Sequence, residues 1–255
     1  MDRSDDTTGT TDGSTPAPWP VVARNLSEHS SNPIHTDAGA QAAGFPAALV
    51  AGVTTYAYLT HPIVAAWGRD WLEHGGAGVQ FRTPVFAGRT IACVPDHADD
   101  GSVTVSAIDL TERENPRAVL HAVPNGGPPP EPRFGDALPS RRYLLDDEYG
   151  VGYGTRAGDD LDLYEREGIV HPAVWPAIAN NVFANELVTG AWIHLRSNIR
   201  HHAIAPAGAV VDVHTTVVDR IERRGTRAIA DVRIELDGRP VATIEHEAIV
   251  DLSGR

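Results

Sequence analysis

His35 is the residue in this sequence best suited to moving a proton. It lies in Ser30-Ser31-Asn32-Pro33-Ile34-His35-Thr36-Asp37, where Asn32 and Pro33 are types that lock a turn. An imidazole held in one orientation, with a pKa near neutrality, serves as a general acid or base. Gly52 follows at the expected start of an apolar helix, so the histidine is expected beside a helix N-terminus. Asn32 reads as scaffold, and Asp37 as the N-cap of a short helix over 38–43.

Other chemistries drop out on composition. The chain has no lysine, which removes Schiff-base catalysis, and Cys93 is its single cysteine, which removes an intrachain disulfide and makes a thiolate metal site unsuited. No cofactor or metal is expected, and a reducing cytoplasm is the expected compartment. A net charge of −13 with arginines scattered among carboxylates argues against nucleic acid as a partner. No apolar run is long enough to cross a bilayer, so no membrane partner is expected. Arg196, Arg200, His201 and His202 form the most basic local cluster, which with Arg82 could meet phosphates or simply line a solvated strand face.

The elements that must position His35 follow from periodicity and punctuation. Residues 1–20, rich in Ser, Thr, Asp, Gly and Pro, read as a disordered tail. A first unit over 21–123 begins with the motif, continues in an apolar helix from Gly52 that Pro62 kinks or divides before Trp71, and ends in strands over 78–83, 89–95, 102–110 and 117–123. Residues 124–140, with Pro128-Pro129-Pro130, read as a stiff linker. A second unit over 141–255 repeats the order: a helix over 172–187, then strands over 191–200, 210–221, 227–236 and 240–250. Two copies of a helix backed by an antiparallel sheet, joined edge to edge, would leave few exposed edges.

Asn32-Pro33-Ile34-His35 with Asp37, then Gly44-Phe45 and Gly52, then Phe81-Arg82-Thr83-Pro84-Val85 with Gly88, stand in an order that resembles the MaoC-like, (R)-specific enoyl-thioester hydratases. The resemblance implies an α+β fold, a double hotdog in which each helix is wrapped by an antiparallel sheet. It implies an acyl-CoA or acyl-carrier-protein thioester as substrate, and hydration or dehydration between 2-enoyl and 3-hydroxyacyl forms. In that family an aspartate five residues before the histidine is its catalytic partner, and here that position is Ser30. The family's glycine N–H at the helix start, here Gly52, meets the thioester oxygen, for which the unpaired N–H groups and partial positive charge of a helix N-terminus are suited. A histidine usually precedes that glycine; here it is Ala51. Catalytic candidates are thus His35, Ser30 and Gly52, with Asn32, Ala51, Tyr56, Arg82 and Trp175 expected to bind substrate.

In the second unit Ile169-Val170-His171-Pro172 resembles the helix entrance, but Pro172 has no N–H to donate, so one site is expected, in the first unit, with the second unit shaping the acyl tunnel. His171 and Asn181 are further candidates for its wall, with a helix-start position the competing reading for His171 and core packing that for Trp175. Glu28 or His29 could stand in for the missing acid. The departure at Ser30 leaves two alternatives open: a cyclase or isomerase of a polyketide-like intermediate working in the apolar pocket, and a catalytically silent acyl-binding or partner subunit. A homo-oligomer or a hotdog partner chain is also expected; a thioesterase is disfavoured, because no nucleophile or paired carboxylates stand out.

Overall fold

The structure is a computed structural model describing residues 14–27, 30–222 and 225–252. Strand β1 (Trp19–Val22) opens the described chain, and helix α1 (Asp37–Ala42) follows a short turn at Pro33–His35. The long helix α2 (Gly52–His74) leads into strands β2 (Gly76–Phe81), β3 (Thr90–His97), β4 (Val103–Asp109) and β5 (Ala118–Val123). Short strands β6 (Asp136–Ala137) and β7 (Arg141–Leu144) and short helices α3 (Tyr153–Ala157) and α4 (Leu163–Glu167) then precede helix α5 (Val174–Glu186). Strands β8 (Ile193–His201), β9 (Val210–Glu222), β10 (Thr226–Leu236) and β11 (Arg239–Asp251) complete the fold.

All strands join one antiparallel sheet in the order β1-β3-β4-β5-β2-β8-β11-β10-β9-β6, with β7 also on β9. The halves meet where β2 pairs β8, with Gly78 opposite Asn198. That pairing satisfies both inner edges and leaves the sheet with no open edge between the units.

Helix α2 is buried on nearly every side from Val53 to Val64, as expected of a helix without a polar face. Tyr56, Leu59, Ile63 and Trp71 pack in one core with Ile91, Val105 and Leu120 from the sheet. Pro62 lies inside the helix without ending it; the break is at Gly68, whose φ of 56° only glycine adopts readily.

Three local expectations are revised. Thr36, not Asp37, caps α1, its hydroxyl accepting from the Gly39 N–H at 3.2 Å, while Asp37 accepts from the Ala48 N–H at 2.9 Å. The tail expected over 1–20 lies partly outside the described residues; from Ser14 the chain is tied down, with the Ser14 hydroxyl on the Ala66 carbonyl at 3.0 Å and Pro16 buried. The linker is more than a spacer: Asp136 and Ala137 pair with β9, and Arg133 makes ion pairs to Asp231 and Glu245.

Candidate active site

The loop ahead of α1 is fixed at both ends. The Asn25 amide donates to the His35 carbonyl at 2.9 Å. The Asn32 amide donates to the Trp192 carbonyl at 3.0 Å and accepts from the Trp192 N–H at 3.4 Å. Asn32 thus ties the motif to the second unit.

His35 is oriented by a second pair of bonds. Its Nδ1 lies 2.8 Å from the Leu49 carbonyl oxygen, and the Leu49 N–H donates to the Ile34 carbonyl at 3.0 Å. A carbonyl only accepts, so Nδ1 carries the proton and Nε2 keeps its lone pair. Burial, at 8% exposure, lowers the imidazole pKa below its ordinary value, opposed by the Leu49 hydrogen bond. His35 is therefore a neutral base at neutral pH.

The same segment places Gly52. The Val50 N–H bonds the Val85 carbonyl at 2.8 Å, and Leu49 bridges Phe86. Helix α2 then starts from the N-cap Ala51, whose carbonyl receives the N–H groups of Thr54 and Thr55. The N–H groups of Gly52 and Val53, ahead of these, have no partner within the helix.

Two cavities meet at His35. One, about 210 Å³, is walled by His35, Ala51, Gly52, Thr55, Phe81, Arg82 and His194; the other, about 720 Å³, by Ser30, His35, Asp147, Glu148, Tyr153 and Arg156. Asn32, Ala51, Asn180 and Trp192 line both.

The structure brings together His35, Gly52, Ala51, Asn32 and Arg82. Ser30 shares the larger cavity with His35, but it is exposed, and its hydroxyl accepts from the Asn32 N–H at 3.3 Å. Tyr56 and Trp175 line neither cavity: both lie in the core, Tyr56 fully enclosed, with Thr55 facing the site instead. A helix apolar on all sides gives its sequence no signal of which face meets a cavity. His171 is also enclosed, bonded to Asp159 at 3.1 Å, while Asn181 does line the larger cavity. Glu28 and His29 lie outside the described residues.

The basic cluster is dispersed. Arg196 pairs with Glu247, Arg200 donates to the Pro128 carbonyl, and His201 is buried, leaving Arg82, exposed and without an ion-pair partner among the described residues, at the cavity. One group among the described residues has metal-ligand types close together: His61, Asp159 and Asp160. His61 is held there by Asp160 at 2.7 Å and stacks on Trp19, away from both cavities.

Sequence reading missed Asn180, Trp192 and His194, all from the second unit. His194 was concealed by a β-bulge. Ser197, Ile199 and His201 point inward on β8, so strict alternation would send His194 outward. The register slips between Glu247–Arg196 and Ala248–His194, leaving Leu195 unpaired and returning His194 to the inner face.

A long helix wrapped by an antiparallel sheet, twice in one chain and joined along β2 and β8, is a double hotdog. The family model for the MaoC like domain matches residues 26–114, the segment that holds His35 and Gly52. Solved structures agree on the fold. A MaoC-like dehydratase superposes with a TM-score of 0.59 at 14% identity, covering 92% of this chain and 98% of its own. A conserved hypothetical protein from Mycobacterium tuberculosis with a double hotdog fold gives 0.57 at 13% identity, covering 91% and 96%. The tesB protein of Mycobacterium avium subs paratuberculosis gives 0.53 at 14% identity, covering 91% and 92%. No curated protein matches the sequence significantly.

Proposed function

We propose that this protein acts on an acyl thioester, adding water to a 2-enoyl group or removing it from a 3-hydroxyacyl group. The observation that carries the reading is the pairing of His35 with the start of α2 in one cavity. His35 offers the Nε2 lone pair that the Leu49 bond leaves over, and Gly52 offers an N–H to the thioester oxygen. Abstraction of a proton from the α carbon places negative charge on that oxygen, and the helix N-terminus stabilises it. Arg82, at the cavity wall and free of an ion pair among the described residues, is suited to the phosphates of coenzyme A or of a carrier-protein arm.

The test is hydration of crotonyl-CoA and of longer enoyl thioesters by the purified protein. Turnover that collapses in His35→Ala supports the reading. Absence of turnover across the panel, together with unchanged binding in His35→Ala, ends it.

A second reading has one observation in its favour: no carboxylate bonds His35 among the described residues, and at Ser30 there is a hydroxyl that accepts from the Asn32 N–H. A base without an acidic partner suits isomerisation or cyclisation, which move a proton without handling water. Conversion of an enoyl or polyketide-like thioester without incorporation of solvent oxygen would select it.

A further inference from the structure

The geometry points to His194 as a second hydrogen-bond donor to the thioester carbonyl, acting beside the Gly52 N–H and supplied by the second unit. The assignment rests on the acyl-thioester reading and extends it to a residue outside the MaoC-like segment.

His194 lines the smaller cavity and is 7% exposed. Its Nδ1 is buried without a partner, and it faces the start of α2: a Cβ built on Gly52 would lie 3.3 Å from it. The Phe81 ring packs against the imidazole with centroids 4.6 Å apart, which fixes the ring plane. A polar nitrogen enclosed in this way and aimed at the helix start lacks only the group it would bond.

The other edge of the ring decides which nitrogen carries the proton. His194 Nε2 lies 2.8 Å from the Ser197 hydroxyl, which lies 2.9 Å from His246 Nδ1. The hydroxyl has one proton, so the chain has two neutral arrangements. If Ser197 donates to His246, then His246 Nε2 must carry a proton, and that atom is buried without an acceptor against the Phe183 ring. If Ser197 donates to His194 Nε2, His246 Nδ1–H donates to Ser197, and His194 Nδ1–H points toward Gly52. Each arrangement leaves one N–H without a partner, His246 Nε2–H in the first and His194 Nδ1–H in the second, and of the two only His194 lines a cavity, where a substrate oxygen can accept the bond. The second arrangement is therefore preferred, and it makes His194 a donor.

Burial lowers the pKa of His194 to about 3, opposed by a backbone hydrogen bond to Arg196, and the two imidazoles, 4.2 Å apart, cannot both be charged. A neutral imidazole then acts as a fixed dipole that neither repels the substrate nor gives up its proton, and its contribution does not change with pH across the neutral range.

The experiment uses the full chain, histidine-selective 15N labelling and crotonyl-CoA, with the His194 signals assigned by their loss in His194→Gln. The expected result is a wild-type ring protonated on Nδ1 whose Nδ1–H resonance moves when crotonyl-CoA binds. Ser197→Ala should then mix the tautomers and lower kcat by about tenfold or more, with KM little changed, and His194→Gln should approach the roughly hundredfold loss typical of one missing oxyanion donor. Protonation on Nε2, or a resonance that ignores crotonyl-CoA in a protein that hydrates it, overturns the assignment. A shift without any hydration upholds His194 as a thioester contact while ending the hydratase reading, and absence of binding ends both.

Discussion

Gly52→Ala separates a structural from a catalytic role for the start of α2. The added methyl would lie 3.3 Å from His194 Nδ1 and from two carbons of the Phe81 ring, close enough that both rings must shift by a few tenths of an ångström. Against that crowding stands the higher helix propensity of alanine, worth up to about 1 kcal/mol. The two terms oppose, so stability should change by less than about 1 kcal/mol. Activity should respond differently, because the methyl occupies the space between the helix start and His194 and pushes the substrate oxygen away from the N–H. Loss of one such donor costs about 10²–10³ in kcat, or roughly 2.7–4 kcal/mol in the barrier. Urea unfolding measured beside crotonyl-CoA hydration gives both numbers. A variant that keeps its stability and its turnover within twofold of wild type would refute the placement of the thioester oxygen at Gly52.

Other expectations concern the remaining residues of the site. Ser30→Asp places a carboxylate in the larger cavity with His35; hydration should rise by at least about tenfold, and an unchanged rate in a folded variant would show that Ser30 does not limit the reaction. Arg82→Ala should raise KM severalfold for crotonyl-CoA and leave the N-acetylcysteamine thioester, which has no phosphates, unaffected; equal effects on both would remove the phosphate role. Asn32→Ala breaks both bonds to the Trp192 backbone and should cost about 1–3 kcal/mol in urea unfolding. Burial depresses the pKa of His35, His194, His201, His202 and His246, so these stay neutral in the folded chain below pH 6.5 while the unfolded chain takes up protons. Stability should therefore be full above about pH 6.5 and fall as the pH drops toward 4, with proton uptake on unfolding measurable by titration; a flat profile would contradict it.

The architecture was legible because it rests on local signals. Apolar runs broken by Gly, Pro and Asn located α2, α5 and the eight long strands to within a few residues, and their repeated order implied two joined units. Thr36 took the cap expected of Asp37 because both are capping types in adjacent positions, and only the backbone angles choose between them.

Of the candidate site, the first-unit part was legible in the sequence: an Asn-Pro turn that presents His35 and a glycine at a helix start, with Ser30 singled out only by the family resemblance. These lie close along the chain, so turn chemistry and helix-start chemistry suffice to read them. Tertiary structure alone decided the rest. It set Tyr56 in the core and Thr55 at the cavity, because a helix buried all round shows no periodicity of faces. It brought Trp192 to Asn32 and His194 to Gly52 from the second unit, the latter through a bulge that inverts the strand's alternation. Contacts between residues so far apart in sequence depend on sheet register and on the β2–β8 junction, which no local pattern encodes.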